Sequence, residues 1–365
     1  MAKQDKNQGI GGGGRARGKA KVDARPAKGE KAKAKPEKAK AEKSKPEKAK
    51  LEKAKPEKAK LEKAKPEKTK PEKAKAKAKP KKAKPEKAKP EKAKGKKAKE
   101  KKPTRAERAD RHELYQKAVQ APEADVEFFE KTFRRIRGRR PMSLREDFCG
   151  TALFSCMWVQ SDRERTAIGI DLDGPTLEWG RQHNLAELED KQRERVQLVQ
   201  ANVLDGAGAR TDIVCAMNFS YNVFKTREEL RKYFAVVYDR LEDDGVLFTE
   251  LFGGLEAVVA IEEKRKCSGF TYVWEQASYN PITHEMLCHI HFTFPDRSKI
   301  ERAFSYEWRL WTLPEVRELL REVGFRDVQV YWEEVDADGE GTGNFHPTEY
   351  EENQESWLVY IVAAK

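Results

Sequence analysis

Arg145-Glu-Asp-Phe-Cys-Gly-Thr-Ala152 joins a short apolar stretch at 142–147 to a helix-length apolar stretch at 152–160. A glycine at such a junction lets the backbone approach a ligand closely. The first amides of the following helix face outward, ready for an anionic group. The same rhythm continues downstream. Strands are expected at 142–147, 166–171, 196–201, 212–217 and 245–252, with helices between them at 152–160, 175–188 and 227–240. Strands alternating with helices in this way build a parallel sheet with helices on both faces. In such a sheet ligands bind beyond the carboxyl ends of the strands. Upstream, Thr104-Arg-Ala-Glu107 forms a capping box for a helix running to about residue 120. A second helix from Pro122 carries Val126, Phe129, Phe133 and Ile136 at helical spacing and ends at Gly138.

The residues that follow each strand therefore carry the functional reading. The second strand ends in Ile168-Gly-Ile-Asp171-Leu-Asp173-Gly-Pro175. Asp171, about twenty residues beyond Gly150, can accept hydrogen bonds from a ribose diol. Asp173 is placed to cap the next helix, with Pro175 in its first turn. A nicotinamide site needs Gly-x-Gly-x-x-Gly, and that run is missing, as are a P-loop, Gly-x-Ser-x-Gly and His-Glu-x-x-His. The five cysteines include no Cys-x-x-Cys pair, and no zinc or other metal site is expected.

Taken together, these segments resemble the class I S-adenosylmethionine-dependent methyltransferases. In that family an acid and then Gly-x-Gly-x-Gly connect the first strand to the first helix. Cys149-Gly150-Thr151 matches the centre of that motif and Glu146 the acid, while Phe148 and Ala152 stand where the outer glycines would be. The form Arg-Glu-Asp-Phe-Cys-Gly-Thr is similar to that of one bacterial subgroup. The resemblance runs from about residue 110 to the end. It implies a Rossmann-like α/β fold with a seven-stranded, mostly parallel sheet whose last strand, near 357–363, is antiparallel. It implies S-adenosyl-L-methionine as the cofactor, contacted by Glu146, Asp147, Phe148, Cys149, Gly150 and Thr151 in the first loop. Asp171 and Leu172 would meet the ribose, Asn202 and the Val203 amide the adenine, and Asn218 and Phe219 the methionine part and the acceptor.

Between 253 and 311 lies an insertion rich in aromatic residues. The alternating stretches 269–279, 284–294 and 299–311 are expected to form a three-stranded antiparallel lid, with turns at Asn280-Pro281 and Pro295-Asp296. Its aromatic side chains either cover a methyl acceptor, which the sequence does not identify, or pack the lid onto the body. Methyl transfer is an in-line displacement in which positioning carries much of the rate, so a general base is optional. Tyr115, Tyr221, His289 and His291 are the candidates. Residues 333–356 hold nine Asp or Glu and no Lys or Arg, and are expected to be an acidic surface loop.

The chain of 365 residues carries a net charge of +13, unevenly distributed. Residues 1–102 hold 41 Lys and Arg against 14 Asp and Glu, a net +27, which leaves −14 on 103–365. Lys-Pro-Glu-Lys recurs from Lys35, Lys45, Lys55 and Lys65 at a ten-residue period, and again from Lys70, Lys84 and Lys89. Leu51 and Leu61 are the only large apolar residues from 31 to 102. Too little apolar surface exists there to offset ordering, so a disordered tail ahead of a methyltransferase domain at 103–365 is expected. The composition resembles the tails of linker histones and lysine-rich nucleoid proteins, and implies binding to nucleic acid or another polyanion. A solubilising spacer is the alternative. No apolar leader and no run of about twenty apolar residues is seen, so a cytoplasmic protein without a membrane is expected, with the nucleoid as a destination for the tail. Two further readings stay open: a histone-like binding protein whose methyltransferase-like domain is inactive, supported by Phe148 and Ala152, and a small-molecule methylase whose tail only aids solubility.

Overall fold

The computed structural model describes residues 102–336 and 341–365. The lysine-rich tail up to residue 101 lies outside the described residues.

The main sheet is built from strands β1 (Ser143–Asp147), β2 (Thr166–Asp171), β3 (Val196–Gln200), β4 (Thr211–Ala216) and β5 (Leu241–Gly253), all parallel. Helices α4 (Leu153–Gln160), α5 (Gly174–His183), α6 (Asp190–Arg193) and α7 (Arg227–Arg240) fall between them. They follow α1 (Arg105–Arg108), α2 (Arg111–Val119) and α3 (Pro122–Arg137). A separate antiparallel sheet of β6 (Ile261–Cys267), β7 (Phe270–Tyr279), β8 (Glu285–Thr293) and β9 (Lys299–Arg309) is inserted after β5. The chain ends with α8 (Leu313–Val323), β10 (Asp327–Val335), β11 (Gly341–Thr348) and β12 (Trp357–Ala364). The main sheet has the order β11-β10-β12-β5-β4-β1-β2-β3, and β12 runs antiparallel between β5 and β10. Strand order reverses at β1, which puts the ligand cleft of such a fold beyond β1 and β4.

Four elements differ from the sequence expectation. The main sheet has eight strands, because Gly341–Thr348 pairs antiparallel with β10 where a loop was expected. The insertion has four strands: Ile261–Cys267, charged and mostly exposed, pairs along its whole length with β7. Its apolar positions are too few to show a period, and only the neighbouring edge makes it a strand. The expected single helix at 104–120 is broken, because the Asp110 carboxylate caps a fresh start by accepting the His112 and Glu113 amides. The expected helix at 175–188 ends at His183 and continues as a short 3₁₀ turn over Leu185–Glu187.

Packing explains the layers. Phe129 and Phe133 of α3 are fully buried, and Phe129 stacks on Phe248 of β5 with centroids 4.2 Å apart. On the opposite face, Tyr233, Phe234 and Val237 of α7 join Val316, Leu319 and Leu320 of α8 in a second core. Helix α2 bridges to the inserted sheet, where Leu114 and Ala118 pack with Phe270, Ile290, Phe292 and Ala303. Among the described residues no helix is long and apolar enough to cross a membrane.

Candidate functional site

The loop after β1 alternates in backbone conformation. Phe148, Gly150 and Ala152 lie at φ 59°, 54° and 56°, so all three occupy the left-handed region. Glycine adopts it freely, whereas Phe and Ala do so at roughly 1–2 kcal/mol each. Local contacts hold them there. The Phe148 ring packs against Phe224 and Tyr233, at 6.1 and 5.7 Å. The Ala152 amide donates to the Cys149 carbonyl at 2.7 Å, and the Cys149 amide to Ile170 of β2 at 3.0 Å. Phe148 and Ala152 thus reproduce the conformation that glycines would supply at those positions.

Asp171 ties this loop to the next. Its Oδ2 accepts the Gly150 amide at 2.7 Å, and its Oδ1 accepts the Asp173 amide at 2.9 Å. A Cβ placed on Gly150 would meet only Thr176 Cγ2, at 3.9 Å, so that side of the loop is open for a ligand. Leu172, 68% exposed, stands beside it. Asn202 is exposed beyond β3; its Oδ1 accepts the Leu204 amide at 3.0 Å and keeps a second lone pair. The Val203 side chain is buried in the core, so only its backbone can face the cleft. Asp173 occupies the cap position of α5, but its carboxylate accepts the Thr176 hydroxyl and makes no cap hydrogen bond to an amide.

Strand alternation divides the two acids of β1. Glu146 faces α4, where its Oε2 accepts the Ser155 amide and hydroxyl at 2.9 and 2.5 Å, and burial pushes its carboxyl up to about 7. Asp147 faces α7, where Arg145 Nε donates to it at 2.7 Å and the Tyr233 hydroxyl at 3.1 Å. Arg145 and Asp147 are both fully buried. The Asp147 carboxylate is thus committed to Arg145 and Tyr233, which leaves the backbone of Asp147 for the expected cofactor contact.

Beyond β4, Asn218 and Phe219 also hold left-handed backbone, at φ 53° and 59°. The Asn218 amide donates to Glu250 Oε2 at 2.5 Å. Glu250 lies on β5, 9% exposed, and burial pushes its carboxyl up to about 8. Sequence reading passed over Glu250, since one acid in an apolar strand carries no pattern. It also passed over Gln116, Gly180 and Asn184, which clamp the first loop. Gln116 donates to the Thr151 hydroxyl and Asn184 Nδ2 to the Thr151 carbonyl, both at 2.8 Å. A Cβ on Gly180 would come within 2.4 Å of that same carbonyl. A glycine inside a helical pattern was the one available signal.

Next to Asn218 and Phe219 the structure holds a cavity of about 190 Å³ between the inserted sheet and the end of β5. Tyr115 of α2 and Trp274, Tyr306 and Trp308 of the inserted sheet line it. Burial, then the neighbouring Tyr306 and Tyr272, push the Tyr115 hydroxyl well above its ordinary value, which favours its protonated form. The other three candidate bases lie elsewhere. Tyr221 is fully buried in the core against Phe234. On β8, Met286, Cys288, Ile290 and Phe292 point inward, so alternation turns His289 and His291 to the outer face. There His289 Nδ1 meets the Ser305 hydroxyl at 2.8 Å, and His291 Nε2 meets Glu275 at 2.9 Å.

No family model matches the chain, and no curated protein matches it. Solved structures do. An S-adenosylmethionine-dependent methyltransferase from Clostridium acetobutylicum superposes with a TM-score of 0.52 at 13% identity, covering 69% of this chain and 96% of that one. The fold is that of the class I methyltransferases. DesVI from Streptomyces venezuelae superposes with a TM-score of 0.50 at 19% identity, over 70% of this chain and 98% of its own. The CcbJ methyltransferase from Streptomyces caelestis gives 0.50 at 12% identity, over 67% and 97%. Asn218 and Phe219, which follow β4, line the aromatic cavity.

Proposed function

We propose that this protein is an S-adenosylmethionine-dependent methyltransferase acting on a small molecule, and that its basic tail carries it to nucleic acid or another polyanion in the cytoplasm. The observation that carries the catalytic reading is the first loop: left-handed backbone at 148, 150 and 152, with the Gly150 amide on Asp171. Phe148 and Ala152 adopt the left-handed backbone that glycines would supply there, so they no longer support the reading of an inactive, histone-like protein.

The donor set fits a sulfonium nucleoside. Asp171 offers carboxylate oxygens to a ribose diol. On this reading Asn202 and the Val203 amide would meet the adenine, and Asn218 and Phe219 the methionine end. S-Adenosylmethionine would supply an electrophilic methyl group there. The protein's own contribution is orientation and the exclusion of water. Gln116 and Tyr115 are neighbours on α2, so the helix that fixes Thr151 also forms a wall of the acceptor cavity.

Calorimetric titration of S-adenosylmethionine into the full chain tests this, beside Asp171→Ala. Saturable binding that weakens about tenfold or more in the variant is expected, as for loss of charge-assisted hydrogen bonds of roughly 1.5–3 kcal/mol. A folded wild-type protein that binds none would remove the enzyme reading.

A further inference from the structure

The acceptor cavity has a definite chemical character. Tyr306 and Trp308, two residues apart on one face of β9, stack at 4.5 Å. Trp274 on β7 lies 6.0 Å from Trp308, and Phe219 meets Trp308 at 6.4 Å, edge to face. Phe252 completes this run 4.8 Å from Phe219. These rings adjoin one another along the cavity wall, and an aromatic ring attracts a cation to its face.

Its charged members have one sign. Glu256, just beyond β5, and Glu263, on β6, line the cavity, and no Lys, Arg or His does. Partial desolvation and then the like charge of Glu256 push the Glu263 carboxyl up. A cation placed between them would relieve that repulsion. Arg265 stands over Tyr272, 5.4 Å from its ring, but its guanidinium is turned to the Ala118 carbonyl and does not line the cavity.

We propose that this aromatic chamber binds an organic ammonium group, and that the methyl acceptor is accordingly an amine. The second clause rests on the methyltransferase reading; the first does not. On methylation the acceptor nitrogen forms its new bond to carbon as the carbon–sulfur bond breaks. The positive charge passes from sulfur to nitrogen, and an amine that enters protonated first releases that proton to water. A chamber of rings and carboxylates favours charge arriving at nitrogen, which is where a catalyst gains. A carboxylate or phosphate acceptor would meet two like charges and no cation.

Choline and its uncharged carbon isostere, 3,3-dimethylbutan-1-ol, are suitable probes, followed by intrinsic tryptophan fluorescence of the full chain at constant ionic strength. Trp274 and Trp308 line the chamber and report on its occupancy. Choline is expected to bind about tenfold more tightly than the isostere. Glu263→Gln, at an exposed position that should not disturb folding, is expected to weaken choline several-fold and leave the isostere unchanged. Trp274→Leu is expected to abolish the difference between the two probes. Equal binding of the two by the wild-type chain, or no saturable signal from either, would overturn the proposal. S-Adenosylmethionine binding is read separately by calorimetry. A chain that takes up the nucleoside but does not prefer the cation overturns the chamber alone; one that prefers the cation but takes up no nucleoside overturns the methyltransferase reading alone.

Discussion

Glu250 shows how a single side chain can set a loop and carry a signature in pH. Its carboxyl sits on β5 beneath the Asn218 amide, and burial raises it to about 8 against an unfolded value near 4.5. Between these values the folded state holds a proton that the unfolded chain has lost. Stability from this group is therefore full below about pH 4.5 and is lost as pH rises through 8. Glu146, raised to about 7 by its own burial, acts in the same sense over a narrower range. Glu250→Gln keeps an acceptor for Asn218 and cannot titrate. Denaturant midpoints measured from pH 5 to 9 are expected to fall with pH in the wild-type protein and to fall less in the variant, the two diverging from about pH 5 to 8. Parallel curves would show that Glu250 does not hold its proton there.

At the level of elements, the loop after β1 owes its shape to the helix that leans on it. Helix α5 approaches the Thr151 carbonyl so closely that Gly180 cannot carry a Cβ without displacing backbone. Asn184, at the end of the same helix, holds that carbonyl by its amide. Gly180→Ala is expected to destabilise the protein by about 1–3 kcal/mol, as overpacking does. It should also weaken S-adenosylmethionine binding more than a helix-surface substitution such as Glu178→Ala. Thermal melts and calorimetry on both variants check this, and equal effects would show that the close approach is dispensable. The inserted sheet works by the same logic. Alternation on β8 and β9 sends Ile290, Tyr306 and Trp308 to the chamber and the two histidines to its back.

At the level of the whole molecule, charge divides the chain: +27 on residues 1–102 and −14 on 103–365. Binding of the full chain to duplex DNA should be strong at low salt and fall steeply, log–log, as lysines release condensed counterions. Fluorescence anisotropy between 50 and 200 mM salt is expected to show a loss of roughly a thousandfold or more if some six phosphates are engaged. Residues 103–365 alone should not bind measurably. A shallow slope, or equal affinity without the tail, would leave the tail a spacer.

Much of this protein can be read from its sequence alone. The parallel order of β1 to β5 follows from strand and helix periods that local chemistry imposes. The capping box at Thr226 follows likewise, and so does the cap at Gly138, which stands at φ 70°. Asp171 and Gly150 were visible because a turn and a strand end have few uses for such residues. Other features needed tertiary structure, because they are pairings between distant segments. Ile261–Cys267 and Gly341–Thr348 become strands only where a neighbouring edge offers its amides and carbonyls. Asp147 looked like a ligand until Arg145 and Tyr233 took it beneath the sheet. His289 and His291 differ from Ile290 only in parity, and parity has meaning only once one face of the sheet has something to cover. Sequence thus determined the order of β1 to β5 and of the helices between them. The packing of α2, α5 and the inserted sheet decided which side chains meet, since contact across a fold is a property of registers and faces that no local run of residues contains.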